Sequence, residues 1–146
     1  MTKLEKFLHD NSDKMRTLFE VNKYSENPLH WVTSSALCKL YIQILGKIAV
    51  QQKNIRGNTP LHWARTSEIA QLLIDAGADV NAKNDSTATP LHWALNLDVA
   101  KTLVEHSANI NAMDDMGKTP IMYAEEYENN HVKNYLEQFV TEEAVD

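Results

Sequence analysis

Apolar positions recur in this chain at helical spacing, in short blocks that repeat. Ile69, Ala70, Leu72, Leu73 and Ala76 form an i, i+3, i+4, i+7 stripe, and Val99, Ala100, Leu103 and Val104 repeat most of it. Each stripe predicts a short helix with one buried face. Thr66 and Asn96 stand where N-caps belong, Gly77 is a suitable terminator, and Ser107 is a poorer one at the same place. After each stripe comes a polar, turn-rich string: Ala78-Asp79-Val80-Asn81-Ala82-Lys83, then Ala108-Asn109-Ile110-Asn111-Ala112-Met113.

The four prolines show the same period. Pro28, Pro60, Pro90 and Pro120 are spaced 32, 30 and 30 residues apart. Asn27-Pro28-Leu29-His30-Trp31-Val32 matches Thr59-Pro60-Leu61-His62-Trp63-Ala64 and Thr89-Pro90-Leu91-His92-Trp93-Ala94, and Thr119-Pro120-Ile121-Met122-Tyr123-Ala124 is a degraded last copy. Thr or Asn caps a helix well, and Pro suits the first helical position, where a missing N–H costs nothing. Each unit therefore reads as a short helix, a second helix and a loop. Neither helix buries its apolar face alone, but stacked pairs do, which is the logic of a solenoid.

The ends read as caps. Residues 3–22 have helical content, with Thr2 and Glu5 spaced as a capping box, and Met15, Leu18, Phe19 and Val21 placed to cover the first repeat. A last helix over about 130–139 sets Val132, Tyr135, Leu136 and Phe139 on one side and Lys133, Asn134, Glu137 and Gln138 on the other. Residues 141–146 read as a frayed acidic tail. The expectation is one domain over 1–140: a helical cap over 1–26, then repeats starting near 27, 59, 89 and 119, the last a terminal cap.

Thr-Pro-Leu-His-x-Ala, a second helix ending in Gly-Ala-Asp-Val-Asn-Ala-Lys, and a period near 33 resemble ankyrin repeats, over about residues 27–140. The resemblance implies an all-α solenoid of stacked antiparallel helix pairs joined by hairpin loops that project to one side. It implies a non-catalytic protein-interaction module, monomeric, without a cofactor, docking a protein partner on its concave face. The chain departs from the family in four ways. Its period is three residues short between the helices, so the helix–helix turn should be tight and the inner helix clipped. The first hairpin, over 45–58, is two residues longer than the others. Thr87 stands where the other tips have Gly57 and Gly117, so the middle tip is expected to differ in shape. In the last copy Met122 and Tyr123 replace His and Trp. Short-period repeats resemble those of bacteria and viruses. That implies a cytoplasmic protein, or an effector delivered into a host cytoplasm.

Composition narrows the classes. At 43% hydrophobic and 23% charged over 146 residues, the chain is not disordered or low-complexity. A single cysteine excludes a disulfide scaffold. No uncharged apolar run has membrane-helix length, and the charged first ten residues do not read as a secretory signal. The net charge of −6 is unevenly spread: residues 119–146 hold seven acids against Lys133, whereas no acid lies between Glu26 and Glu68. That stretch carries Lys39, Lys47, Lys53, Arg56 and Arg65. The molecule is expected to be bipolar, a field that orients a partner without choosing the fold.

Candidate chemistry is sparse. Two histidines of the His30, His62 and His92 ladder could share a metal only by leaving their common rotamer, because stacked helices are about 8–10 Å apart. The resemblance implies instead that each ring bonds its own cap region and a neighbouring repeat's backbone. Trp31, Trp63, Trp93 and Tyr123 lie on a helix flank, either packing between repeats or lining a protein-binding groove. Cys38 aligns with core-facing Ala70 and reads as an inert thiol, and Asp114-Asp115 reads as loop charge. No phosphate loop, metalloprotease motif or nucleophile elbow is present. The expected partner contacts are the aromatic ladder with the tip residues Asn54, Ile55, Arg56, Asp85, Ser86, Asp115 and Met116. Asn81 and Asn111 occupy the hairpin position that resembles the asparagine hydroxylated in some ankyrin proteins, although turn chemistry explains both. Two other readings compete: nucleic-acid binding through the basic 39–65 stretch, and a structural spacer or inhibitor with an acidic end. Five scattered bases in an acidic chain make nucleic acid the weaker partner.

Overall fold

In a computed structural model of the chain, residues 2–10 and 20–140 are described. Each proline-containing copy starts a helical turn at its own cap: the Asn27 side chain, for example, accepts the Leu29 N–H at 2.8 Å. In the first three copies that turn is a single turn of 3-10 helix, at Pro28–His30, Pro60–Trp63 and Pro90–Trp93. In the fourth it is a full α-helix, Pro120–Glu126. Chain length explains the difference. Six residues take Pro28, Pro60 and Pro90 to the next caps, Ser34, Thr66 and Asn96, whereas nine take Pro120 to Asn129. Six hold one tight turn and an extended link; nine hold about two α-turns.

The α-helices, in chain order, are α1 (Lys3–Asp10), α2 (Ser35–Gln51), α3 (Ser67–Asp75), α4 (Leu97–Glu105), α5 (Pro120–Glu126) and α6 (Asn130–Glu137). Helices α2, α3, α4 and α6 form the outer layer, each packed on the next, and the three 3-10 turns and α5 form the inner layer. Between the layers lies one core. Leu29, Leu61 and Leu91 enter it from the inner turns, and Cys38, Ile69, Ala70, Leu73, Val99, Ala100 and Leu103 from the outer helices. Full burial of one such Leu contributes about 1.5–3 kcal/mol. Small Cys38, Ala70 and Ala100, all fully buried, let the layers approach closely. Caps fix the outer helices: Thr66 Oγ1 accepts the Ile69 N–H, and Asn96 Oδ1 the Asp98 N–H. Gly77 ends α3 with φ 102°, and Ser107 takes the same left-handed region at 69°.

Four expectations are corrected. The first loop is not a long hairpin over 45–58. Gly46, at φ 74°, breaks α2 much as Gly77 ends α3, but the chain then winds another turn to Gln51 and leaves Ile48 in solvent. At the N-terminus the described helix is α1, residues 11–19 lie outside the described residues, and residues 20–22, expected to be helical, are not. Residues 22–26 form a hairpin, with the Asn22 N–H on Glu26 O at 3.0 Å and the Ser25 N–H on Asn22 O at 2.9 Å. Val21 is consequently exposed rather than in the core. At the other end α6 stops at Glu137; Val132 and Leu136 are buried, but Phe139 is exposed beside Tyr135. Met15, Leu18, Phe19, the side chain of Glu5 and the tail 141–146 lie outside the described residues.

Candidate functional site

The hairpins are built by one device. Asn54 Oδ1 accepts the N–H groups of Arg56 and Asn58, Asn84 Oδ1 those of Ser86 and Ala88, and Asp114 Oδ1 those of Met116 and Lys118, all at 2.8–3.0 Å. Asn22 does the same for Tyr24 and Glu26. Asn22, Asn54, Asn84 and Asp114 each stand six residues before a proline, so this signal was present in the sequence. Three residues after each of them the chain enters the left-handed region: Gly57 at φ 77°, Thr87 at 57°, Gly117 at 75°. The middle tip therefore has the shape of its neighbours, contrary to expectation, because the same hydrogen bonds hold Thr87 in that conformation. Neighbouring tips are joined by Ile55 N–H to Tyr24 O, Asp85 N–H to Arg56 O and Asp115 N–H to Ser86 O, each near 2.9–3.0 Å.

This corrects two readings. Asn54 is not a surface contact: it is 7% exposed and fully engaged in its turn, with its amide also donating to Glu26. Asp114 is not a surface charge. It is buried, and Tyr123 Oη donates to its Oδ2 at 2.7 Å. The preceding hairpin shows why an acid stands here. The Asn84 amide donates to Asn58 Oδ1, but at Asp114 the corresponding neighbour is Ala88, which has no side-chain acceptor, and the tyrosine supplies a donor.

The histidines bind each hairpin to the preceding inner turn. The backbone N–H of Asn27, Thr59 and Thr89 donates to Nδ1 of His30, His62 and His92 at 3.0–3.1 Å. The Nε2 atoms face the carbonyls of Asn58, Ala88 and Lys118 at 3.1, 3.0 and 2.9 Å. A carbonyl only accepts, so Nε2 carries the proton and the rings are neutral. Burial lowers all three pKa values, that of His62 to about 4. In the fourth copy Met122 stands at the histidine's position.

Beyond each histidine lies the aromatic ladder. Trp31, Trp63 and Trp93 are 47%, 42% and 38% exposed, so each ring packs on one edge and faces water on the other. Trp93 meets Tyr123 edge-on with centroids 6.0 Å apart, and Trp31 meets Tyr41 at 6.4 Å. Between the hairpins and the inner turns runs an open groove of about 770 Å³. It brings together Arg56, Trp63, Asp85, Ser86, Trp93 and Tyr123 from the expected set. Trp31, Asp115 and Met116 lie outside it; Asp115 and Met116 are exposed at the last tip. Ile55 lines an adjoining notch of about 440 Å³ with Tyr24 and Trp63. The sequence reading did not place Arg65 in this groove, or Tyr24 beside it. Arg65 lines the groove from the inner turn's end, and neither its guanidinium nor that of Arg56 has a hydrogen-bond or ion-pair partner among the described residues.

Asn81 is exposed but not idle. Its Oδ1 accepts the Asn109 N–H at 2.7 Å and its amide donates to Ser107 O at 3.2 Å, so it links successive repeats rather than its own turn. Asn111 is exposed, with its N–H on Asn109 Oδ1. Cys38 is fully buried, and burial pushes its thiol up to about 11. Among the described residues no group of three or more His, Cys, Asp or Glu is placed to hold a metal ion, and no helix is long and apolar enough to cross a membrane.

No curated protein matches this chain. A family model for ankyrin repeats, in three copies, matches residues 3–84 and 65–141. That covers nearly the whole chain and agrees with the stacked helix pairs, the histidine bridges and the projecting hairpins, so the chain belongs to the ankyrin-repeat family.

Proposed function

We propose that this protein is a non-catalytic interaction module that binds a protein partner in the groove beside Trp63 and Trp93. Ankyrin repeats generally serve protein–protein interaction. The observation that carries the reading here is the pairing of half-exposed tryptophans with two arginines that have no partner among the described residues, along one open groove. Trp, Tyr and Arg are the side chains most enriched among residues that dominate binding energy. The groove is rigid as well, since buried histidines and hairpin bonds hold both walls. A pre-organised surface loses little entropy on binding.

The nucleic-acid reading gains less support. Lys39 lines a separate cleft between the outer helices, Lys53 donates to the Lys83 carbonyl, and only Arg56 and Arg65 share the groove. Such proteins usually have one dense basic footprint. A pure spacer would not need an exposed aromatic wall.

The test is affinity capture from cell lysate, comparing the native chain with an Ile55→Ala, Trp63→Ala, Trp93→Ala variant whose helicity is checked by circular dichroism. A protein held by the native chain and lost by the folded variant supports the groove. Equal capture by both would place the binding face elsewhere.

A further inference from the structure

The groove has a direction as well as a composition. In the first hairpin Lys23 is offset by Glu26, the second carries Arg56, the third Asp85, and the fourth Asp114 and Asp115 against Lys118, so charge turns from positive to negative between the second hairpin and the last two. Arg56 and Arg65 approach the groove from opposite walls, one from a hairpin and one from the end of the inner turn. Trp63 lies in the same groove. Nearby apolar rings exclude water and strengthen a charge-assisted contact. His62 adds no competing charge at neutral pH, because burial lowers its pKa to about 4. Asp85 is the one carboxylate among the lining residues, and it lies one tip beyond Arg56.

We infer that the groove takes an extended peptide segment with an acidic end between Arg56 and Arg65, an apolar or aromatic side chain against Trp63 and Trp93, and a basic end that leaves the groove past Asp85 toward Asp115 at the last tip. The inference rests on the groove being the docking surface and adds the chemistry of its occupant. Guanidinium groups are planar forks that match a carboxylate in two parallel hydrogen bonds, and here both are exposed and without a partner among the described residues. Charge complementarity sets the polarity, because a reversed segment would place like charges together at both ends. Stacked repeats are spaced about 10 Å apart, so Arg56 and Asp115 are separated by roughly 20 Å, which about six extended residues span.

The test is selection of a random linear peptide library displayed on phage against the native chain, an Arg56→Glu, Arg65→Glu variant, and a Trp63→Ala, Trp93→Ala variant. The expected native pool carries Asp or Glu at one end and Lys or Arg about six residues away, flanking an apolar residue. The arginine variant should not enrich acids. Its affinity for a synthetic native-pool peptide, read by tryptophan fluorescence, should fall about tenfold or more for each guanidinium lost. Peptides without acidic enrichment, or one pool shared by the native chain and the arginine variant, would overturn the inference. Such peptides would leave the groove reading standing if the tryptophan variant still lost them. Peptides that survive the tryptophan replacement, or no selected peptide at all, would overturn both.

Discussion

Lowering the pH should weaken this fold well before its carboxylates titrate, and His62 gives the size of the effect. Its Nδ1 accepts the Thr59 N–H and its Nε2–H donates to Ala88 O, so a second proton on Nδ1 would face a donor in a dry site. Burial lowers its pKa from 6.5 to about 4. The folded pKa lies below the unfolded one, so the unfolded chain binds the extra proton first. The stabilisation is therefore complete above the unfolded value of 6.5 and is lost as pH falls toward 4. His62 alone accounts for a loss of about 2 kcal/mol by about pH 5 and about 3 kcal/mol once both states are protonated. His30 and His92 shift in the same direction. Total domain stability is only about 5–15 kcal/mol, so the loss is large. Urea unfolding across this pH range, with the native chain beside His62→Gln, should show a shallower pH slope in the variant. Carbon–proton NMR of the ring reports its titration directly. A folded-state His62 titrating near its unfolded value, or carrying its neutral proton on Nδ1, would refute the reasoning.

Four further outcomes follow from packing and backbone geometry. Gly57→Ala should cost more than about 2 kcal/mol in denaturant unfolding, since a Cβ there would lie 2.5 Å from Asp85 Oδ1 and 2.7 Å from its backbone N; Gly117→Ala, at a similar φ of 75° but with nothing within 4 Å, should cost only about 1 kcal/mol. Thr87→Gly should raise stability by a few tenths to about 1 kcal/mol, because a β-branched residue at φ 57° is strained. Leu73→Ala, at a fully buried position in the core between the two layers, should cost about 3 kcal/mol by the same measurement. Cys38 should resist a thiol reagent at neutral pH until the protein unfolds, because it is fully buried and its thiol is pushed up to about 11; rapid labelling of the native fold would contradict that placement.

What was legible in the chain was local. The spacing of Pro28, Pro60, Pro90 and Pro120 marked where the inner turns begin, and caps such as Thr66 and Asn96 gave the outer-helix starts. Those features depend on residues a few positions apart, whose hydrogen bonds form within one turn. The exposed tips at Ile55 and Met116 were legible for the same reason, since nothing in their own repeat required burial. The N-terminal hairpin was legible in principle through Asn22, yet the helical content around it pointed the other way.

Tertiary structure decided what passes between repeats. Whether Asn54 faces solvent depends on Glu26, and whether Asp114 does depends on Tyr123 and on the missing side chain at Ala88. The shape of the Thr87 tip follows from bonds to Asn84 and from a ladder with its neighbours, which outweigh the preference of a β-branched residue. Arg65 joins Arg56 in one groove although neither position marks the other in the sequence. The two kinds of information differ in reach: a cap or a stripe is specified by its immediate neighbours, whereas a groove wall combines residues about thirty positions apart, brought together only when each repeat buries its apolar face against the next.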